Sequence, residues 1–159
     1  MWFCKKSEKV SVLAPIDGKT ISLDQVNDEV FRKRMMGSGL AIIPKSDIVV
    51  APVDGKIMLV MDSCHAYGIT TNNGIEILIH IGIDTVKLKG EGFWPQVEME
   101  QTVKRGQPLV KFNRKMMLEK QYDVDVILVF PNGEEHGLSG IQENLEVIAG
   151  KTEIAAFNK

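Results

Sequence analysis

This chain is short of the residues that mark most binding and catalytic classes. Its 159 residues include two cysteines, Cys4 and Cys64, and no CxxC pair. Disulfide frameworks and cysteine-rich zinc modules are excluded, and the usage fits a reducing compartment. Lys and Arg number 19 against 21 Asp and Glu, a net charge of −2 with the basic residues scattered. That balance gives no footprint for nucleic acid. No apolar run approaches the ~20 residues that a spanning helix needs. The start Met1-Trp2-Phe3-Cys4-Lys5-Lys6 lacks an apolar core segment and a small-residue cleavage site, so it is not a secretory signal. Residues 1–9 are expected to form a flexible tail whose two aromatics offer at most weak membrane contact. A P-loop, a kinase glycine loop, a GxSxG elbow and an HExxH helix are also missing. The expectation is a cytoplasmic globular protein.

What is present is the pattern of a β-protein. The hydrophobic fraction is 44% and the charged fraction 25%, enough for one cored domain over residues 10–159. Ala14-Pro15-Ile16-Asp17-Gly18-Lys19 returns 37 residues later as Ala51-Pro52-Val53-Asp54-Gly55-Lys56. Each copy reads as a proline-started edge strand, an Asp-Gly turn and a returning strand. Similar punctuation falls at Lys104-Arg105-Gly106-Gln107 and Pro131-Asn132-Gly133, with strand-like segments at Pro108–Phe112 and Val124–Phe130. Helical signals are confined to a turn capped by Asn27 and a short piece from Asn113 to Gln121. The fold class predicted is all-β, a compact antiparallel sandwich or barrel-like domain with a few helical turns.

One strand carries chemistry. In Gly74–Thr85 a histidine interrupts a run of isoleucines. Period-2 geometry puts Ile75, Ile77, Ile79, Ile81 and Ile83 on a core face, and Glu76, Leu78 and His80 on the other. Upstream, Asn73-Gly74 reads as a two-residue hairpin turn. That register would place Tyr67 opposite His80 and His65 opposite Gly82, making the histidines diagonal neighbours. A three-residue turn would change the parity. Two imidazoles on one face suit metal ligation, acid–base hydrolysis or phosphoryl relay. Zinc wants at least three protein ligands, and only Glu76 or Asp84 could supplement His65 and His80. Hydrolysis lacks an identifiable nucleophile. Relay through a neutral imidazole needs no nucleotide loop and agrees best with the absences.

The segment from Gly74 through Ile77-Leu78-Ile79-His80-Ile81-Gly82-Ile83-Asp84-Thr85-Val86, Leu88, Gly90 and Gly92-Phe93 resembles the active-site motif of glucose-family enzyme IIA. That family serves the bacterial phosphoenolpyruvate:sugar phosphotransferase system. The resemblance extends over residues 10–150, including both Ala-Pro-x-Asp-Gly segments, His65-Ala66 and Gly37-x-Gly39-Leu40-Ala41-Ile42. It implies that His80 is phosphorylated at Nε2 by the phosphocarrier HPr and that His65 hydrogen-bonds the phosphoryl group. Ser63 would stand where the family usually has a threonine orienting that imidazole. The phosphoryl group would then pass to a cysteine on the IIB domain of a sugar permease (IIBC).

Val30, Phe31, Met35, Met36, Leu78 and Val86 would form an apolar partner-binding collar, with Asp28 and Asp84 offering charge to an arginine of HPr. No cofactor is implied for the isolated protein. Zinc at His65 and His80 would require a partner that adds a carboxylate. Met61 stands where an aromatic is common, and Lys87 replaces a frequent acidic residue, which bears on partner choice. His136 is expected in an exposed loop. Met1 and the lack of spans favour a free-standing protein over part of a fused permease. The rival readings are a regulatory binding protein of the same fold with reduced or lost relay activity, acting on other protein targets, and a zinc-dependent hydrolase.

Overall fold

In the computed structural model, which describes residues 9–158, nearly all regular structure is antiparallel β. The first half of the chain forms β1 (Val10–Leu13), β2 (Gly18–Ile21), β3 (Ser38–Pro44), β4 (Ile48–Val50), β5 (Gly55–Val60), β6 (Ala66–Thr70) and β7 (Glu76–Ile81). The second half adds β8 (Phe93–Pro95), β9 (Thr102–Val103), β10 (Pro108–Phe112), β11 (Val126–Phe130), β12 (Leu138–Ser139), β13 (Glu146–Val147) and β14 (Glu153–Phe157). Two short helices interrupt them, α1 (Glu29–Arg32) and α2 (Arg114–Glu119). The main sheet has the order β13-β2-β3-β11-β7-β6-β5-β9, and two three-stranded sheets, β1-β14-β12 and β4-β10-β8, complete the fold. The sheets are open, so the architecture is layered and not a closed barrel.

The isoleucine face of β7 behaves as its pattern demands. Ile75, Ile77, Ile79 and Ile81 are buried in the principal core with Tyr67, Phe112, Phe130 and Phe157. Ile83 departs from them. Gly82 has φ +75°, which turns the chain, and Ile83 joins a smaller apolar cluster with Ile21, Leu23, Val26, Phe31, Ala41, Ile127 and Val129. That cluster covers the opposite face of the main sheet. Its register explains it: His80 pairs with Ile127, Ile127 with Ala41 and Ala41 with Ile21, one row of side chains on a common face. The turn at Leu23–Gln25 and helix α1 fold over this row.

The repeated Ala-Pro-x-Asp-Gly segments are corners, not hairpins. β1 pairs with β14 while β2 pairs with β3 and β13, and β4 pairs with β10 while β5 pairs with β6 and β9. Each segment thus carries the chain from a small sheet to the main one. Proline without an N–H and glycine with free φ suit such a change of partner. The corners also exchange backbone bonds reciprocally: Leu13 N donates to Pro52 O at 2.9 Å, and Val50 N to Pro15 O at 2.7 Å.

Other local expectations shift by a residue. Asp28, not Asn27, caps α1, its carboxylate accepting from Val30 N at 2.9 Å and Phe31 N at 3.3 Å. Asn113 caps α2 as predicted, accepting from Met116 N. His136 lies partly buried in a short 3-10 turn, Glu134–His136, and not in an open loop. In the β6–β7 connection Thr71 N donates to Ile75 O at 2.9 Å, so the loop inside that bond has three residues, Asn72-Asn73-Gly74. Thr71 selects this loop: its hydroxyl donates to Asn73 Oδ1 and accepts from Ile75 N, and Gly74 takes φ +87°. The two-residue turn is overturned, and Ala66, not Tyr67, pairs with His80.

Candidate active site

His80 lies near the end of β7, half-buried, just before the Gly82 corner. That corner supplies its anchor. His80 Nδ1 lies 2.8 Å from the Gly82 carbonyl oxygen. A carbonyl can only accept, so Nδ1 carries the proton and Nε2 of the neutral ring holds the lone pair. Burial lowers the pKa of His80, while the bond to Gly82 and the charges of Asp28 and Asp84 oppose that shift. The result is a nucleophilic nitrogen in a fixed tautomer.

His65 reaches the same place despite the changed register. On a regular ladder it would stand opposite Ile81, on the core face, and Ile81 N does donate to His65 O at 2.8 Å. It precedes β6, however, and follows Cys64, which has φ +60°. This turn is tied by Cys64 N donating to Met61 O and Met61 N to Ala66 O. From it the two imidazoles meet edge to face, with ring centroids 4.9 Å apart and planes at 83°. His65 is 5% exposed, and burial, followed by the charge of His80, lowers its pKa to about 4. Both rings are neutral at pH 7.

Phe31 packs edge-on against His80 at 5.2 Å and is itself buried in the smaller cluster. It is therefore a wall of the site, not part of an exposed collar. Leu78 is half-buried beside the same cluster, whereas Val30, Met35, Met36 and Val86 are exposed. Asp28 and Asp84 border His80 closely enough to influence its charge, and Asp28 also fixes α1 through the cap. Ser63 makes no hydrogen bond to His65, whose Nδ1 is buried without a partner. Among the described residues no group of three His, Cys, Asp or Glu side chains is placed to hold a metal ion. The two histidines alone leave a zinc shell incomplete.

Sequence reasoning missed the role of the Gly82 carbonyl, having placed that glycine only opposite His65. The signal was a glycine two residues past a strand histidine, where the backbone can turn back on the ring.

The family described as phosphoenolpyruvate-dependent sugar phosphotransferase system, EIIA 1, matches residues 10–136. The glucose-specific EIIA component of Mycoplasma capricolum is 47% identical over 132 residues, covering 83% of this chain and 84% of that one. The glucose-specific EIIA component of Haemophilus influenzae is 35% identical over 154 residues, covering 97% and 92%. The glucosamine-specific EIICBA component of Bacillus subtilis is 43% identical over 138 residues, 87% of this chain but 22% of that protein. The solved glucose permease IIA from Mycoplasma capricolum superposes with a TM-score of 0.89 at 41% identity, covering 98% of this chain and 99% of that one. A family match across most of the chain, together with the neutral histidine pair, makes this protein a phosphotransferase of the EIIA family of the sugar phosphotransferase system.

Proposed function

We propose that this protein relays a phosphoryl group from phospho-HPr to a cysteine of a sugar-specific IIB domain, with His80 as the acceptor. The observation that carries the reading is the His80 Nδ1–H bond to the Gly82 carbonyl, which leaves Nε2 as the free nucleophile. In the first half-reaction the Nε2 lone pair attacks phosphorus in line. The bond from phosphorus to the HPr imidazole breaks, and that ring leaves with the electron pair. In the second, a IIB thiolate attacks and His80 departs as a neutral imidazole. Exchange between two phosphoramidates is close to balanced, so positioning is the protein's main contribution.

His65 supplies a hydrogen-bond donor to the phosphoryl oxygens. Its ring centroid lies 4.9 Å from that of His80, which favours that role. The apolar residues Val30, Met35, Met36 and Val86 form the docking face, and Asp28 and Asp84 steer a cationic partner. Lys87 adds a positive rim charge that selects among IIB surfaces. The relay requires no metal in the isolated protein, and zinc contributes only where a partner carboxylate joins His65 and His80.

The test is incubation with enzyme I, HPr and phosphoenolpyruvate, with a zinc chelator present. The expected product is an acid-labile phosphohistidine at His80, absent in His80→Ala. Undiminished labelling of that variant would overturn the acceptor assignment, and loss of labelling on chelation would overturn the metal-free relay.

A further inference from the structure

Thr85 follows the His80 strand closely, and the relay leaves it without a task. It is a fully buried polar side chain whose hydroxyl donates to the Ile81 carbonyl, four residues back. Inside a helix such a bond is routine. Here the residues it spans are not helical: Ile81 ends β7, Gly82 has φ +75° and Asp84 has φ +60°. The bond therefore closes a loop around the Gly82 corner. Asp84, at the head of the 3-10 turn Thr85–Leu88, adds no side-chain cap of its own.

Two peptide units meet at the Gly82 α-carbon, and each is held at both ends. In the first, Gly82 N donates to Asp125 O at 2.9 Å and Ile81 O accepts from Thr85. In the second, Ile83 N donates to Asp123 O at 2.9 Å and Gly82 O accepts from His80 Nδ1. A planar trans unit points its N–H and C=O in opposite directions, so holding both ends fixes the plane. The angle between the two planes aims the Gly82 carbonyl at the ring. Glycine, with no Cβ, does little to set that angle by itself. Of the four restraints, two come from backbone carbonyls and one from His80. Thr85 supplies the fourth, and a substitution there removes it without touching the reacting ring. Its methyl group adds a steric restraint, since Cγ2 lies 2.5 Å from where a Gly82 Cβ would stand.

We infer that Thr85 is a positioning residue for His80, its hydroxyl on the Ile81 carbonyl holding the Gly82 corner at the angle that keeps the His80 proton on Nδ1. Without that hydroxyl the corner relaxes and Nδ1 loses its aligned acceptor. The proton is then free to move to Nε2, which removes the lone pair that attacks phosphorus. The kinetic consequence rests on the relay reading; the tautomer does not.

Thr85→Val keeps the shape and removes the hydroxyl, whereas Thr85→Ser keeps the hydroxyl and removes the methyl group. Thr85→Ala is a second hydroxyl-free variant should Thr85→Val fail to fold. Imidazole nitrogen resonances of histidine-labelled protein report the His80 tautomer with no phosphoryl transfer, and urea unfolding reports stability beside it. In the parent His80 is expected as the Nδ1–H form. In Thr85→Val and Thr85→Ala it should become a mixture of tautomers. Single-turnover acceptance from phospho-HPr should fall about tenfold, the effect of one hydrogen bond. Thr85→Ser should return both the tautomer and the rate close to those of the parent. A hydroxyl-free variant that loses stability but keeps the Nδ1–H form and parental acceptance would overturn the inference. So would an Nε2–H form of His80 in the parent, or a Thr85→Ser variant as impaired as Thr85→Val. A parent that accepts no phosphate, with the tautomer still shifting in Thr85→Val, would strike the relay reading and leave the positioning role standing.

Discussion

The two histidines meet edge to face, and the proposed relay gives them different work. His80 owes its nucleophilicity to a proton parked on Nδ1 by a backbone carbonyl, whereas His65 owes its neutrality to burial. His65→Gln keeps a donor N–H but loses the ring that fixes its direction. Loss of a preorganised donor lowers a rate about a hundredfold. Under the proposed relay, groups on HPr would share the phosphoryl charge in acceptance, and in donation the burden would fall on His65. Single-turnover assays should show near-normal acceptance and impaired donation, and equal loss in both steps would contradict the division of roles. Burial of His65 also makes stability depend on pH. With a native pKa near 4 against an unfolded value of 6.5, both states are neutral above pH 6.5 and the residue contributes nothing. Below 6.5 the unfolded chain takes up a proton that the native ring refuses. Stability therefore falls by up to about 1.4 kcal/mol per pH unit until the native ring titrates near pH 4. Urea unfolding at pH 7, 5.5 and 4.5 should show a steeper fall in the parent than in His65→Gln. Parallel curves would mean that His65 is not held neutral.

Among the elements, the Gly82 corner has the most dependents. It ends the isoleucine face, sends Ile83 to the smaller cluster and offers the carbonyl that binds His80. A Cβ at Gly82 would stand 2.5 Å from Thr85 Cγ2 and 2.8 Å from the Asp123 carbonyl oxygen, on a backbone with φ +75°. Gly82→Ala should destabilise the protein by on the order of 2 kcal/mol and slow phosphate acceptance, because the carbonyl must move. Gly74→Ala is the control: φ is +87°, but no atom lies within 4 Å of the added carbon. It should cost about 1 kcal/mol and leave acceptance unchanged. Equal effects on acceptance would deny Gly82 its special place. The β7 strand and its core face were legible from the alternation of isoleucines with Glu76, Leu78 and His80. The loop before it was not, because Asn73-Gly74 satisfies both a two-residue turn and the last positions of a three-residue one. The decision lay with the Thr71 hydroxyl, which closes the longer loop. The encounter of His65 with His80 was foreseen from a register that does not occur. It arises because His65 precedes the strand, after a left-handed Cys64, where the period-2 rule no longer applies.

At the scale of the whole molecule, the 37-residue echo is a pseudo-twofold arrangement, and local reading could not reveal it because the matching partners come from distant segments. Ala14 N donates to Thr152 O and Ala14 O accepts from Gly150 N; Ala51 N donates to Gln107 O and Ala51 O accepts from Gly106 N. Gly106 and Gly150 pack against each other, a Cβ on Gly150 falling 3.2 Å from Gly106 Cα. The aspartates of the repeat complete the correspondence. Asp17 Oδ1 accepts from Ala149 N and Asp54 Oδ1 from Arg105 N, each at 2.8 Å. Their surroundings differ, since the Asp17 bond is partly buried and the Asp54 bond is exposed. Water can replace the lost acceptor more readily at the exposed corner, so equivalent truncations should not have equal effects. Asp17→Ala should destabilise by about 2 kcal/mol and Asp54→Ala by about 1, the range for hydrogen bonds to a charged acceptor scaled by solvent access. The His80 row of the main sheet meets β2 at Ile21, whereas Asp17 precedes the far end of that strand. Asp54 precedes Gly55, where β5 pairs alongside Thr70 and Glu76, away from the Ala66–His80 pair. Both variants should therefore accept phosphate at the parental rate. Urea unfolding and single-turnover phosphorylation decide the matter together. An Asp54→Ala loss as large as that of Asp17→Ala would mean that solvent access does not set the contribution. Slowed acceptance in either variant would mean that the corners reach the site.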